Sequence, residues 1–381
     1  MHILSIKPEL ILFFFMLSCF ALLLFNVVYI FIDKAQHRQI KSRRLDMADI
    51  IISQITLIKN GEPVQKEHLS YLQRKLKQAR NMKIFEQSMQ EIQQRQPQEV
   101  CTHYLKQLRP VFLWLTAEYD KRDPIEQSYF SNIIAQFGID RGQEVFDGII
   151  EYCLDKIPEK EVSLRENSLK ALYSIGNPDA ILAAWTAMEN EEILHSNKLL
   201  SDGLLRFTGD REQLARLLFR HRREYSDRLL LPVMQYIYHF SDDYQNDFLE
   251  ILEDAGADKE LQLEALRYFR KYPYEPARQT IQSFLRYRGL VDWEYTAVAA
   301  LTLSRYPGPD TVDCLKESLS DTNWYIRLNS ADTLIHGLKI SQVQLHDIYN
   351  GRDRFAKEIL QYVSSQAELT HQEMELTENY V

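Results

Sequence analysis

The side chains that could perform catalysis or bind a metal are scattered along the sequence. Ten histidines are spread over 381 residues, and none has a partner at a spacing typical of a metal site. Asp242 and Asp243 are adjacent acids, but the acidic start of a helix explains them more simply than a metal pair. The motifs of P-loop, dinucleotide-binding, zinc-protease and serine-hydrolase sites do not occur. The sequence therefore predicts no enzyme, no cofactor and no bound metal.

A row of arginines and a row of acids form the clearest charge pattern. Three arginines share one face of a predicted helix, and three acids recur at the same spacing in the next predicted repeat. The two rows are Arg216, Arg220 and Arg223, and Asp243, Asp247 and Glu250. Like charges on one helix face repel, so the arginines need opposite charge nearby. We expect a ladder of ion pairs between stacked helices, each exposed pair contributing about 0–1 kcal/mol. An exposed anion-binding surface is the alternative.

A second cluster combines cations with tyrosine, which are typical contact residues of protein interfaces. Its members are Arg267, Tyr268, Arg270, Lys271, Arg286 and Arg288. Three interpretations compete: a contact for a partner protein, a stacking platform for nucleic acid, and an ordinary surface. Nucleic acid is not expected, because 45 Lys and Arg against 54 Asp and Glu give a net charge of -9. The cluster is therefore a candidate protein contact, and an ordinary solenoid surface stays the alternative.

The elements that carry these residues are predicted to be helices. Glycine and proline number only 12 each, which is low for a strand-rich fold of this length. Helical stretches also recur with a closing apolar residue at 172, 204, about 237, 266, 301 and 334. This period of about 29 to 35 residues indicates an α-solenoid, in which one helix pair cannot bury its apolar face alone and must stack on its neighbours.

Two segments of this repeat resemble a known family. The stretch from Asp321 to Leu334, with its acidic turn, Ile-Arg pair and small residues, is similar to the start of a HEAT repeat, and Glu161–Leu172 follows the same pattern. The resemblance covers about 125–365 and implies an interaction module. A HEAT-like family of di-iron hydroxylases is built on His-Glu dipeptides, and this sequence contains none. From their position facing the adjoining turn, we expect Arg165 and Arg327, with Trp324, to brace neighbouring repeats.

The N-terminal region has the pattern of a membrane anchor. Residues 10–32 form an uncharged run that is long enough as a helix to cross a bilayer and longer than the apolar part of a cleaved signal peptide. Basic residues cluster after this run, between Lys34 and Arg44, and basic flanks stay in the cytoplasm. This predicts a single-pass protein of the cell membrane with its N-terminus outside. Four cysteines without a CxxC pair suit a reducing compartment.

The predicted organisation follows from these signals. It comprises an outer N-terminus (1–9), a transmembrane helix (10–32), a helical neck (33–123), a HEAT-type solenoid (124–365) and a disordered acidic tail (366–381). We expect a membrane-anchored scaffold or accessory subunit that binds a partner protein, which raises the local concentration of the solenoid beside that partner. The layout is similar to that of accessory proteins of bacterial membrane machineries such as glycosyltransferases. A second alternative is a binder of an anionic ligand or lipid headgroup in a basic groove.

Overall fold

The structure is a computed structural model that describes residues 8–142, 146–191 and 195–378, apart from the side chains of 8–14, 19, 26–39 and 367–378. These residues form twenty α-helices joined by turns and short 3-10 or π segments, without a β-strand among them. The all-α prediction is therefore confirmed. The helices are α1 Pro8–Lys59, α2 Lys66–Leu76, α3 Ala79–Arg95, α4 Gln98–Gln107, α5 Arg109–Tyr119, α6 Pro124–Phe137, α7 Gly148–Asp155, α8 Val162–Ile175, α9 Pro178–Asn190, α10 Asn197–Leu205, α11 Arg211–Arg220, α12 Asp227–Tyr238, α13 Gln245–Glu253, α14 Lys259–Lys271, α15 Arg278–Arg286, α16 Trp293–Thr302, α17 Pro309–Ser318, α18 Trp324–Asp332, α19 His346–Tyr349 and α20 Arg354–Glu378.

The structure and the sequence-based prediction disagree on the membrane anchor. Helix α1 contains the run 10–32, although most side chains of this run, and residues 1–7 before it, lie outside the described set. Among the described residues, no helix combines the length and the apolar character that crossing a membrane requires. By this finding the predicted location, a single-pass protein of the cell membrane with a cytoplasmic solenoid, is wrong.

The chain divides into two compact units, and the first comprises residues 1–184 with 207–209. In this unit α1 packs on α3 and α4, α2 packs on α3 and α5, and α6 packs along α8. Its core is aromatic: the Phe130 ring stacks on Tyr119 at 4.4 Å and on Phe112 at 6.0 Å between centroids. The predicted neck and the first predicted repeats therefore share one unit, and no unit boundary falls near residue 123.

The second unit comprises residues 185–206 and 210–381 and is built from alternating helices. The even-numbered helices α10 to α20 each pack on the next even-numbered one, and α11, α13, α15 and α17 form a second layer beside them. Each pair of short helices thus buries its apolar face against the following pair, as a helical repeat requires. The prediction of an all-helical fold with repeated helices is confirmed at this level.

The repeat register differs from the prediction at one position. The closing residues at 172, 204, 237, 266 and 334 are buried, but Leu301 is half-buried and Leu303 is buried completely. Leu303 lies as far after the helix start at Trp293 as Leu334 lies after that at Trp324, so Leu303, and not Leu301, corresponds to Leu334. A π-helical turn at Thr333–Gly337 follows α18 and disturbs the regular spacing there.

The helix bounds describe the predicted neck and the predicted tail in more detail. Helix α4 ends at Gln107, and α5 carries Pro110 in its first turn, where the absent N–H of proline leaves no helical hydrogen bond unmade. A short break at 77–78 separates α2 from α3. The tail predicted to be disordered from residue 366 continues α20 as far as Glu378, and 379–381 lie outside the described residues.

Candidate functional site

The predicted basic and aromatic contact cluster does not form one surface. Tyr268 is fully buried, its ring stacks on Phe248 at 4.0 Å, and its hydroxyl accepts a hydrogen bond from the backbone N–H of Tyr244 at 3.3 Å. Burial raises the pKa of Tyr268 above its ordinary range. Tyr268 is a core residue of the second unit, so its assignment as a partner contact is corrected.

Two cations of this cluster hold helix ends. Lys271 Nζ donates to the carbonyl oxygens of Tyr238 and His239, at 2.8 and 2.9 Å, which caps the end of α12. Arg288 donates to the Glu317 carbonyl at 3.3 Å and pairs through Nε with Asp321, also at 3.3 Å. Both side chains therefore connect one repeat to the next.

The remaining three cations differ in their surroundings. Arg267 donates from Nη1 to Oε2 of Glu264 at 2.9 Å, and burial raises the pKa of that carboxyl while the arginine opposes the shift. Arg286 donates to the Gln282 side chain at 3.4 Å, and Arg270 is exposed. Only Arg270 and Arg286 retain the exposed and lightly engaged character that the prediction assumed.

The predicted charge rows are brought together only in part. Arg223 pairs with Glu250 at 3.1 Å, as the matching spacing of the two rows predicts. The stronger link is Arg222, which the sequence analysis did not select: it pairs with Asp247 at 2.9 Å and with Glu250 at 3.5 Å. Its guanidinium also lies 4.8 Å from the centre of the Phe219 ring. A 3-10 turn after α11 changes the helical phase, which turns Arg222 toward α13.

The other members of the rows have local partners. Arg216 pairs with Glu212 in its own helix at 3.6 Å. Asp243 accepts a hydrogen bond from the Ser241 hydroxyl at 3.2 Å, and Arg220 makes no ion pair with any described residue. The ladder thus consists of one arginine pair facing one acidic pair.

Arg165 and Arg327 occupy matching places in their repeats. Arg165 Nη1 donates to the carbonyls of residues 159 and 160, at 2.8 and 3.2 Å. Arg327 Nη1 donates to those of residues 321 and 322, at 2.7 and 3.0 Å. Each arginine therefore holds the turn that leads into its own helix. Arg327 also reaches the next repeat, where its guanidinium lies 5.5 Å from the Phe355 ring centre.

Trp324, predicted to brace the repeats, instead belongs to an exposed group of rings. We name this group the aromatic row; its members are Trp293, Trp324, Tyr325, Phe355 and Tyr362. Their side chains are between 42% and 63% exposed, which is unusual for such large apolar groups. Three of them, Trp293, Trp324 and Phe355, stand at the start of successive even-numbered helices, at equal intervals along the chain.

Helix capping fixes the position of these rings. The Asn323 side chain accepts from the backbone N–H of Tyr325 at 2.8 Å, and Asp353 accepts from that of Phe355 at 2.9 Å. Asp292 holds the same place before Trp293, with an extended backbone but without a side-chain cap hydrogen bond. A capping residue fixes where a helix begins, so the rings that follow Asn323 and Asp353 lie in the first turns of α18 and α20.

Ring contacts join the row across the repeats. The Trp293 and Tyr325 rings stack with centroids 5.4 Å apart, and Trp324 meets Tyr325 edge-on at 5.2 Å. Beyond them α18 and α20 border a cleft of about 340 Å³. Its walls are Trp324, Arg327, Phe355, Glu358, Ile359 and Tyr362. The arrangement offers a flat aromatic face next to a mainly apolar cleft whose walls also contain one arginine and one glutamate.

The sequence analysis missed this row although a signal was present. An Asp or Asn stands one or two positions before each of Trp293, Trp324 and Phe355, which follow one another at a constant interval. The apolar closing residues do not show this interval, because Leu301 was aligned with Leu334 although Leu303, two positions later, is the corresponding residue. Capping residues would have given the better reference point.

The described residues contain no group of three or more His, Cys, Asp or Glu side chains arranged to hold a metal ion. The most perturbed carboxyl group is Asp140, whose pKa burial raises to about 6, against the opposing effect of Arg109. Arg109 binds Asp140 at 2.5 Å and also Asp147, which accepts from the first N–H groups of α7. All three side chains are thus engaged in bracing a turn of the first unit.

Comparisons with known proteins give matches among solved structures. No protein-family model matches the chain, and no curated protein matches it. Two matching solved structures are human deoxyhypusine hydroxylase in complex with glycerol (13% identity, 79% of this chain and 96% of that chain, TM-score 0.27) and an engineered protein (14% identity, 86% and 94%, TM-score 0.34).

One of these matches bears on the prediction that the protein is not an enzyme. The hydroxylase is an enzyme, and the prediction that the present protein is not an enzyme is withdrawn. At this TM-score and identity the match carries no activity over to the present chain.

Proposed function

We propose that the protein is a scaffold that binds a partner protein, and that its helical repeats are of the HEAT type. The matching places of Arg165 and Arg327 support the repeat type, since each follows a buried aliphatic residue and holds the turn before its helix. The observation that carries the binding function is the aromatic row. Clustered, exposed aromatic side chains with an adjacent arginine have the composition of binding hot spots.

The geometry of the row indicates what it would bind. The cleft between α18 and α20 holds about 340 Å³, which accommodates one or two large apolar side chains rather than a whole helix. The stacked Trp293 and Tyr325 rings extend the apolar surface beyond the cleft. We therefore assign to the row an extended segment of a partner protein that carries one large apolar side chain, because pockets for single side chains give the recognition of extended segments its specificity.

Site-specific photocrosslinking in the native cell tests this function. A photoreactive amino acid replaces Trp324 or Phe355 in the full chain, and Ile125 serves as control, since it is 76% exposed in α6 of the first unit. We expect a discrete crosslinked species from positions 324 and 355 and none from 125. With the captured partner purified, Trp324→Ala combined with Phe355→Ala should weaken binding at least about tenfold, and Ile125→Ala should not. Equal crosslinking at all three positions, or none, contradicts the proposal.

A further inference from the structure

A basic cleft lies in the first unit between α1 and α3. It has a volume of about 450 Å³, and its walls contain four cations: Lys41 and Arg44 from α1, and Arg80 and Lys83 from α3. Ile40, Ile84 and Gln87 complete the walls, so no carboxylate of the described side chains lines the cleft. This concentration of positive charge stands out in a chain whose net charge is -9.

The protein itself neutralises little of this charge. Arg44 Nε lies 3.5 Å from Glu91, but the other oxygen of Glu91 is taken by Arg95 at 2.7 Å. Glu86, also on α3, accepts a hydrogen bond from the Tyr129 hydroxyl at 2.5 Å. Lys41, Arg80 and Lys83 make no ion pair with any residue that the structure describes.

The N-terminus of α3 adds to the positive potential. Arg80 is the second residue of α3, the first turn contains no acid, and Gln78 before it makes no side-chain cap. The start of a helix carries a partial positive charge, so cations in this turn are unfavourable for the helix alone. The same arrangement becomes favourable when an anion binds nearby, because the positive helix start and the cations then act on one negative charge.

Packing holds the two sides of the cleft in place. The Ser88 hydroxyl on α3 donates to the Arg44 carbonyl on α1 at 3.0 Å, and Ile84, Phe85 and Met89 are buried beneath. The i and i+3 spacing places Lys41 with Arg44, and Arg80 with Lys83, on one face of each helix. The four cations therefore face a common space on rigid elements instead of spreading over a mobile loop.

We propose that this cleft binds a polyphosphorylated anion. Guanidinium groups match phosphate oxygens in a bidentate manner, ammonium groups add charge, and the Gln87 amide can donate to a further oxygen. The volume falls in the range of small-ligand sites and exceeds what a single inorganic phosphate needs. The phosphates can belong to a free molecule or to the headgroup of a lipid, and both present the same chemistry to the four cations.

Binding of two probes to the full chain tests the proposal and separates these sources. The soluble probe is inositol hexakisphosphate, and the surface probe is a phosphatidylcholine vesicle containing a phosphorylated phosphatidylinositol. Binding of the soluble probe identifies a free anion as sufficient, whereas binding to the vesicles alone identifies a headgroup; either result supports the cleft as a phosphate site. We expect affinity to fall steeply with salt, since each phosphate contact releases counterions.

A charge-matched pair of variants assigns the binding to the cleft. Arg80→Gln with Lys83→Gln removes two exposed cations of the cleft, and Lys66→Gln with Lys121→Gln removes two exposed cations elsewhere in the same unit. The first pair should weaken binding at least about tenfold, equivalent to one charge-assisted hydrogen bond, and the second pair less than about twofold. Circular dichroism checks that both variants are folded. Absence of binding to both probes at low salt, or equal weakening by the two pairs, overturns the proposal.

Discussion

The indole ring of Trp293 stacks on the phenol ring of Tyr325, with centroids 5.4 Å apart, although the two residues belong to different repeats. Each residue lies in the first turn of its helix, so the contact connects the starts of α16 and α18. Both rings remain about half exposed. Such a pair contributes about 0.5–1.5 kcal/mol beyond area burial, yet most of its aromatic surface stays available to a partner.

The aromatic row should therefore matter little for stability. We expect Trp324→Ala to lower the free energy of unfolding by less than about 1 kcal/mol, because the side chain is 45% exposed. The control is Trp185→Ala, which removes a fully buried ring and should cost about 3–5 kcal/mol. Urea denaturation of the two variants measures the difference. A large loss from Trp324→Ala would show that the row holds the fold rather than a partner.

Gly176 and Gly209 approach each other so closely that the first unit should not tolerate a methyl group on Gly209. A Cβ built on Gly209 would lie 2.1 Å from the Gly176 carbonyl oxygen, far inside van der Waals contact. We expect Gly209→Ala to lower the free energy of unfolding by at least about 2 kcal/mol. Gly289→Ala is the control, since nothing lies within 4 Å of its Cβ position. Thermal melting compares both variants with the native chain, and equal melting temperatures would contradict the packing.

The ion pair of Arg222, in the turn after α11, with α13 should contribute more free energy than the pair within α11. Arg222 is only 22% exposed and contacts two carboxylates, whereas Arg216 is 61% exposed and pairs within its own helix. A double-mutant cycle of Arg222→Ala and Asp247→Ala should give a coupling of about 0.5–1 kcal/mol. The cycle of Arg216→Ala and Glu212→Ala should give about 0.3–0.5 kcal/mol. Coupling energies in the reverse order would contradict the assignment of Arg222 as the stronger link.

Acid should destabilise the first unit through His68. Its ring is buried and lies 2.8 Å from the Tyr104 hydroxyl, and burial lowers the pKa of His68 from 6.5 to about 4. In the unfolded chain the imidazole ring is protonated as the pH falls through about 6.5. In the folded protein the same ring is protonated only as the pH falls to about 4. The stability that the neutral ring contributes is complete above pH 6.5 and is lost as the pH falls toward 4.

The variant His68→Gln isolates this effect, because it keeps a polar side chain but does not titrate. We expect the native chain to lose more of its free energy of unfolding between about pH 7.5 and about pH 5 than the variant does. Urea titrations at both pH values provide the comparison. Parallel losses in the two proteins would mean that His68 does not carry the pH dependence.

Much of the architecture could be predicted from local sequence. Low glycine and proline content, helical periodicity and recurring apolar closing residues are sufficient for an all-α fold of repeated helices, because each depends on neighbouring residues of the same helix. The turn-holding role of an arginine could be approached in the same way, since Arg165 and Arg327 bond to carbonyls only five and six positions away.

The tertiary structure decided which charged and aromatic side chains are available. Tyr268 looked like a contact residue, but stacking on Phe248 from the preceding helix makes it core. A single 3-10 turn after α11 brings Arg222, beside Arg223, into the ion pairs with α13. The basic cleft needs α3 beside α1, and the aromatic row needs three helix starts at one edge. Exposure and charge proximity depend on the packing between helices distant in sequence, whereas helix formation depends on residues a few positions apart.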